Sequence, residues 1–291
     1  MAVAEPVVLV PPTRFGRTRS RQHRLIAVPV IDRIALGGLA LITLIAVLAP
    51  QLAPYDPTEA VGAPFLTPFS PGFPLGTDDV GRDLLSRILF GIQSSWVAAF
   101  IVIASGVLVG GIIGLVAGAF GGWVDTVLMR ITDIFLALPG PVLAITVVAA
   151  LGPSLFHTLI AVMVVWWPFY ARIMRGEVRK LAARPHIEAA RLAGAGRVRI
   201  LWRHLLPGAV PAIVVTASLD VSALILTLAS LSFLGLGSPA PAPELGAMSA
   251  RGLTYLLEFW WVPIIPAIAV FVLALLSNLA GDAVRDLLGD R

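Results

Sequence analysis

From Trp96 to Phe120 the chain runs for 25 residues without a charged side chain. No water-soluble fold has use for so long a charge-free run. In lipid, a single stretch satisfies its own backbone hydrogen bonds only as a helix. Comparable apolar runs occupy Ile34–Leu52, roughly Asp133–Leu151, Leu155–Met174, Val210–Leu231 and Trp260–Leu279. The first of these, at helical rise, covers about 29 Å, close to the thickness of a bilayer's hydrocarbon core. Only 13% of the residues are charged and 58% are hydrophobic. A soluble domain carries about 25% charge. The expected fold class is an all-α polytopic membrane protein with six transmembrane helices.

Charge placement sets the expected orientation. With the N-terminus inside, the outer segments hold three basic residues, Arg82, Arg87 and Arg251, and the other 18 of the 21 lie inside or at the inner interface. That excess follows the positive-inside rule. Both termini are therefore expected in the cytoplasm. The first apolar run is too long, and begins too late, for a cleaved signal peptide, so it reads as an uncleaved anchor. The expected divisions are a tail over 1–33, a first helix over 34–52, an outer connector over 53–93, a five-helix core over 94–281 and a tail over 282–291.

Several function classes drop out. A pI of about 10.3 suggests nucleic acid, but the basic residues cluster beside apolar runs, which is membrane topology and not a DNA-binding face. With no cysteine there is no disulfide and no thiolate metal site. The only lysine, Lys180, follows Arg179 and not Gly, so a phosphate-binding Walker A loop is absent. Neither HExxH nor GxSxG occurs, which leaves an intramembrane hydrolase without machinery. The acidic residues near Asp78 lack the ligand spacing of a calcium loop. No metal or other cofactor is expected.

Inside the spans, Gly106, Gly110, Gly114 and Gly118 recur every four residues. One helix face therefore has a seam that allows backbone-to-backbone packing in lipid. Pro139 and Pro141 predict a kink in the third span. Asp133 is expected at the inner interface near Arg130. Trp166, Trp167 and Tyr170 read as an interfacial belt at the cytoplasmic end of the fourth span, and His157 as a loop hydrogen-bonder. Asp220 is the one acid placed near mid-span, where a charge is costly and wants a polar partner or cavity.

Between the fourth and fifth spans lies a polar stretch, Arg172 to Pro207, with nine of the basic residues. Pro185 suits the first turn of a helix, Glu188 lies near its positive end, and Ala189, Ala190 and Ala193 favour helix. Gly194, Ala195 and Gly196 end or bend it.

This ordered run, Glu188-Ala189-Ala190-Arg191 with Gly194 and a later Leu206-Pro207, resembles the "EAA" loop of ATP-binding-cassette (ABC) importer permeases. Gly76-Thr77-Asp78-Asp79-Val80-Gly81-Arg82-Asp83-Leu84-Leu85-Ser86-Arg87 is similar to the segment before the second helix of C-type permeases in the dipeptide/oligopeptide and nickel group. Ser232-Phe233-Leu234-Gly235-Leu236-Gly237 and Gly281-Asp282-Ala283-Val284-Arg285-Asp286 resemble the same family. Two positions depart from its pattern: Leu228 stands where many relatives have Glu, and Leu245 where Trp is usual. The charged residues from Asp78 to Arg87 are expected to form exposed outer ion pairs, which each contribute little.

The resemblance implies a type I ABC importer permease fold without an active site. It implies that Glu188, Ala189, Ala190, Arg191 and Gly194 form a coupling helix docking on an ATPase. It implies a related B-type permease, two ATPase subunits and an extracytoplasmic peptide-binding protein as partners, in the plasma membrane and without nucleic acid. The cargo would be oligopeptides, with dipeptides or nickel as the alternative. For Asp220 two roles stay open: facing the peptide path, or pairing within the permease dimer.

Overall fold

The computed structural model describes residues 30–289, and within them the chain is helical apart from its connections. The basic tail expected before residue 30 lies outside the described residues. Helix α1 (Val30–Leu52) is followed by α2 (Leu84–Phe120), α3 (Gly122–Leu136), α4 (Gly140–Leu151), α5 (Leu155–Ala182) and the short α6 (Pro185–Leu192). Next, α7 (Arg197–Ile200) runs through a π turn into α8 (Leu206–Phe233), and α9 (Leu245–Gly252) precedes α10 (Trp261–Gly289). Five segments are long and apolar enough to cross a membrane, and a sixth results when α3 and α4, bent by 81° at their break, count as one.

The kink predicted at Pro139 is thus a sharp bend, with Pro139 in extended backbone at the start of α4. Proline before a helix has no amide hydrogen to continue α3 and disfavours helical backbone in the residue ahead of it.

Helix lengths differ from the apolar runs because lipid boundaries are not helix boundaries. Helix α2 begins at Leu84, inside what reads as connector, because Asp83 caps it by accepting from the Ser86 amide at 2.8 Å. Helix α5 continues past Met174 to Ala182. Arg, Lys and Glu are good helix formers, and Met174, Val178 and Leu181 continue the buried stripe. Arg172, Arg175, Arg179 and Lys180 therefore belong to a membrane helix's end and not to a loop. Residues 122–132, between the second and third apolar runs, are helical, as is the C-terminal segment through Gly289.

The glycine seam joins α2 to α5. A Cβ added at Gly106 would stand 2.8 Å from Tyr170 Cδ2, and one at Gly118 2.8 Å from Val178 Cγ1. At Gly110 and Gly114 it would collide with the carbonyl oxygens of Trp167 and Ala171. Both sets of numbers rise together, so the two helices run parallel with backbones in contact. Dispersion over this close approach holds membrane helices together where no hydrophobic effect is available.

Three buried clusters follow the long axis. One occupies the middle, around Val102, Val162, Leu224 and Leu273. One lies at the end carrying α6, around Ile187, Ile200, Leu205 and Val178. One lies at the connector end, around Leu84, Leu245, Met248 and Trp261.

Candidate coupling and translocation sites

Helix α6 begins with Pro185 in its first turn and ends in a glycine cap. Gly194 has φ +82°. Its amide donates to the Arg191 carbonyl at 3.0 Å, and the Ala195 amide donates to the Ala190 carbonyl at 3.0 Å. This pair of bonds is a Schellman motif, whose left-handed position suits glycine. Ile187 is fully buried in the cluster beneath α2, α5 and α8. Glu188, Ala189 and Arg191 face outward, Ala190 is half-buried, and Leu192 is 85% exposed. The short helix thus has one side fixed to the bundle and one side open. Beside it, Arg191 and Arg197 line a small cleft with Ala119 and Phe120. Cations there favourably oppose the negative end of α2.

Three ion pairs join α3 to α5 at the same end. Arg175 grips Asp125 with both nitrogens, Nε to Oδ1 at 2.5 Å and Nη2 to Oδ2 at 2.6 Å. Arg179 adds a contact to Oδ2 at 3.3 Å. Asp133, expected beside Arg130, pairs instead with Arg172 at 2.6 Å. The bidentate fork is the strong form of this interaction. Once α5 is known to continue through Ala182, the arginines' spacing of three and four residues puts them on one face.

The aromatic residues expected at a lipid interface sit instead in the middle of α5, because that helix is longer than its apolar run. Tyr170 is fully buried against the glycine seam. Trp167 packs edge-on against Phe135, with ring centroids 5.3 Å apart. Trp166 Nε1 donates to Asp220 Oδ2 at 3.2 Å. Asp220 is half-buried. The Tyr170 hydroxyl lies close to its carboxylate but makes no well-formed hydrogen bond. The position of Leu228 is filled by packing: its side chain is buried in the central cluster.

At the connector end the charged residues are not exposed, contrary to expectation. Arg82 Nε bonds Asp78 Oδ2 at 2.7 Å. Arg87 is 1% exposed; its Nη1 donates to the carbonyls of Pro57 at 2.5 Å and Pro241 at 3.1 Å. Of this cluster only Asp79 is exposed, 3.8 Å from Arg82. The connector folds back over α2 through Thr77, whose hydroxyl donates to the Ala63 carbonyl at 2.7 Å and accepts from the Leu66 amide at 2.8 Å.

A further buried acid, Glu244, escaped the sequence reading. Ser232 donates its hydroxyl to Oε1, and the Ser238 amide donates to Oε2 at 2.6 Å. Gly235, with φ +82°, makes the Schellman cap of α8. Gly237 has no room for a Cβ because the Glu244 carboxylate is there. Leu245 is buried against Gly91. His157 Nδ1 lies 2.8 Å from the Gly152 carbonyl, a local loop bond as expected.

The chain belongs to the family described as binding-protein-dependent transport system inner membrane components, which matches residues 110–291. It is a multi-pass membrane permease subunit of ABC importers, a class that works with substrate-binding and ATPase partners.

Within that class its relatives are peptide permeases by name. The chain is 40% identical over 250 residues to a probable D,D-dipeptide transport system permease protein of Escherichia coli strain K12, covering 86% of this chain and 84% of that one. It is 38% identical over 266 residues to a dipeptide transport system permease protein of Haemophilus influenzae, covering 88% and 90%. It is 39% identical over 290 residues to a glutathione transport system permease protein of Pectobacterium atrosepticum, covering 98% and 93%. Among solved structures, the MetNI methionine ABC transporter in an inward-facing conformation superposes with TM-score 0.59 at 21% identity, covering 70% of this chain and 97% of that chain. The fold is that of a type I importer permease.

Proposed function

We propose that this chain is the C-type permease of a peptide-importing ABC complex, with oligopeptides as cargo. It pairs with a related B-type permease, and two ATPase subunits bind the cytoplasmic face. An extracytoplasmic binding protein delivers the peptide. The named peptide permeases among the relatives support the cargo class. The positive-inside distribution of basic residues supports cytoplasmic termini and an α6 that faces the cytoplasm.

The observation that carries the mechanism is α6 itself. Its buried Ile187 joins it to the ends of α2, α5 and α8, while Glu188, Ala189, Arg191 and Leu192 remain open for an ATPase surface. Closure of the ATPases on ATP would move α6 as a rigid lever, and the helices packed on it would tilt. The cavity then opens outward to receive peptide and inward to release it. Nucleotide and cargo shift these states only by the difference in their affinity for each. The sequence holds no Walker A loop; hydrolysis belongs to the partners.

Peptide uptake into vesicles holding the assembled complex tests this. Gly194→Asp is expected to cut uptake at least roughly tenfold, since it strains the left-handed cap and adds a charge at the docking face. Uptake at the unsubstituted rate would overturn the coupling role. A parallel nickel-uptake assay decides between the two cargoes found in this group.

A further inference from the structure

The bend between α3 and α4 opens an apolar recess against α5 and α8, about 230 Å³ in volume. Pro141, Ala144, Val162, Val165 and Trp166 line it together with Thr227, whose hydroxyl donates to the Ala223 carbonyl at 2.8 Å. It is smaller than a site that engulfs a drug-sized ligand; it has room for one or two apolar side chains. One residue connects it to the mid-span acid. The Trp166 ring lines the recess, and the same ring's Nε1 donates to Asp220.

Spacing along α8 makes the relationship specific. Asp220 and Thr227 are two helical turns apart, on nearly the same face and separated by roughly 10 Å. An extended peptide covers that distance in roughly three residues. The carboxylate's hydrogen-bond donor among the described residues is a neutral indole, which does not balance its charge. A half-buried acid at this depth calls for a cation.

We propose that Asp220, Trp166 and the α4–α5–α8 recess form a cargo subsite. The carboxylate, oriented by the indole N–H, holds the peptide's N-terminal ammonium, and the recess takes an apolar side chain two or three residues further on. A lipid acyl chain would fill the recess without using the acid, so the charge favours peptide. This assignment rests on the peptide reading above and adds to it a preference for a free amino end and an apolar side chain.

The test uses the complete importer in proteoliposomes with its binding protein, comparing uptake of trileucine and triglycine per assembled complex. Thr227→Leu and Val165→Phe, at half-buried lining positions, fill the recess. Each is expected to cut trileucine uptake about tenfold while triglycine uptake changes little, the selectivity of a side-chain pocket. Asp220→Asn is expected to reduce uptake of both peptides, and Asp220→Glu to restore part of it. Equal losses for the two peptides in the filling variants overturn the recess, and indicate a surface covered by the second permease. Unchanged uptake in Asp220→Asn overturns the ammonium site. A measurement on unsubstituted protein guards against misfolding. A tripeptide with a photoreactive phenylalanine at its third position should label α4 or α5 around Val165, and labelling confined to other helices contradicts the subsite. If the unsubstituted complex imports neither peptide, the peptide reading itself fails, which is a different result from a selective or absent effect of the variants.

Discussion

The guanidinium of Arg87 donates to the carbonyl oxygen of Pro241, 154 positions further along the chain. The same nitrogen reaches the Pro57 carbonyl, and Nε lies 3.5 Å from Asp78. One buried side chain therefore fastens the connector and the loop before α9 to the start of α2.

Arg87→Leu removes these donors and leaves two carbonyls buried without partners. A loss of about 3 kcal/mol is expected, read as a lower thermal midpoint and faster proteolysis of the connector. Arg87→Lys should fall short of the original, because a point ammonium cannot replace a planar fork that serves several acceptors. Connector protection by Lys equal to that by Arg would contradict the role.

The glycine seam gives a contrast within one helix turn. Gly110→Leu drives a side chain into α5's backbone, and overpacking costs about 1–3 kcal/mol or more where backbone is the obstacle. The folded yield in detergent should drop. At Gly111 a Cβ meets nothing within 4 Å, so Gly111→Ala should leave yield and thermal midpoint unchanged. Equal behaviour of the two variants would argue against a backbone-contact seam.

The clamp between Asp125 and Arg175 is bidentate and partly buried. A double-mutant cycle with Asp125→Asn and Arg175→Gln should give a coupling of about 1–3 kcal/mol, above that of an exposed surface pair. Additive losses in denaturation experiments would mean that α3 and α5 are held by packing alone.

Opposite sides of α6 should fail in different ways. Ile187→Ala empties a fully buried site and should cost about 2–5 kcal/mol, seen in stability of the isolated permease. Leu192→Asp changes an exposed side chain and should leave stability within about 0.5 kcal/mol while weakening co-purification with the ATPase subunits. Retained co-purification in Leu192→Asp would move the docking surface elsewhere.

Much of the architecture was readable before any coordinates. Six spans, the kink at Pro139, the glycine seam and the capped helix from Pro185 all follow from local rules: charge-free length, missing amide hydrogens, four-residue periodicity and left-handed glycine. The helix ends were less legible. Met174 ends an apolar run, but Val178 and Leu181 continue the buried stripe beneath the arginines, so the helix runs on and Trp166 and Tyr170 become interior residues. Asp78, Asp79, Arg82, Asp83 and Arg87 read as an exposed ion-pair cluster because sequence cannot tell which side chains a folded connector will cover. Glu244 was passed over because its partners, Ser232 and Ser238, come together only when the loop after α8 closes.

The sequence by itself determined that this chain must live in a bilayer, how often it crosses, and where a small alanine-rich helix interrupts the crossings. Those are consequences of burial cost and backbone geometry, which act over a few neighbouring residues. Tertiary structure alone decided which polar groups meet. Arg87 with Pro241, Arg175 with Asp125 and Trp166 with Asp220 are pairs separated by at least 50 positions, and only the packing of whole helices fixes which of them stand within hydrogen-bond reach.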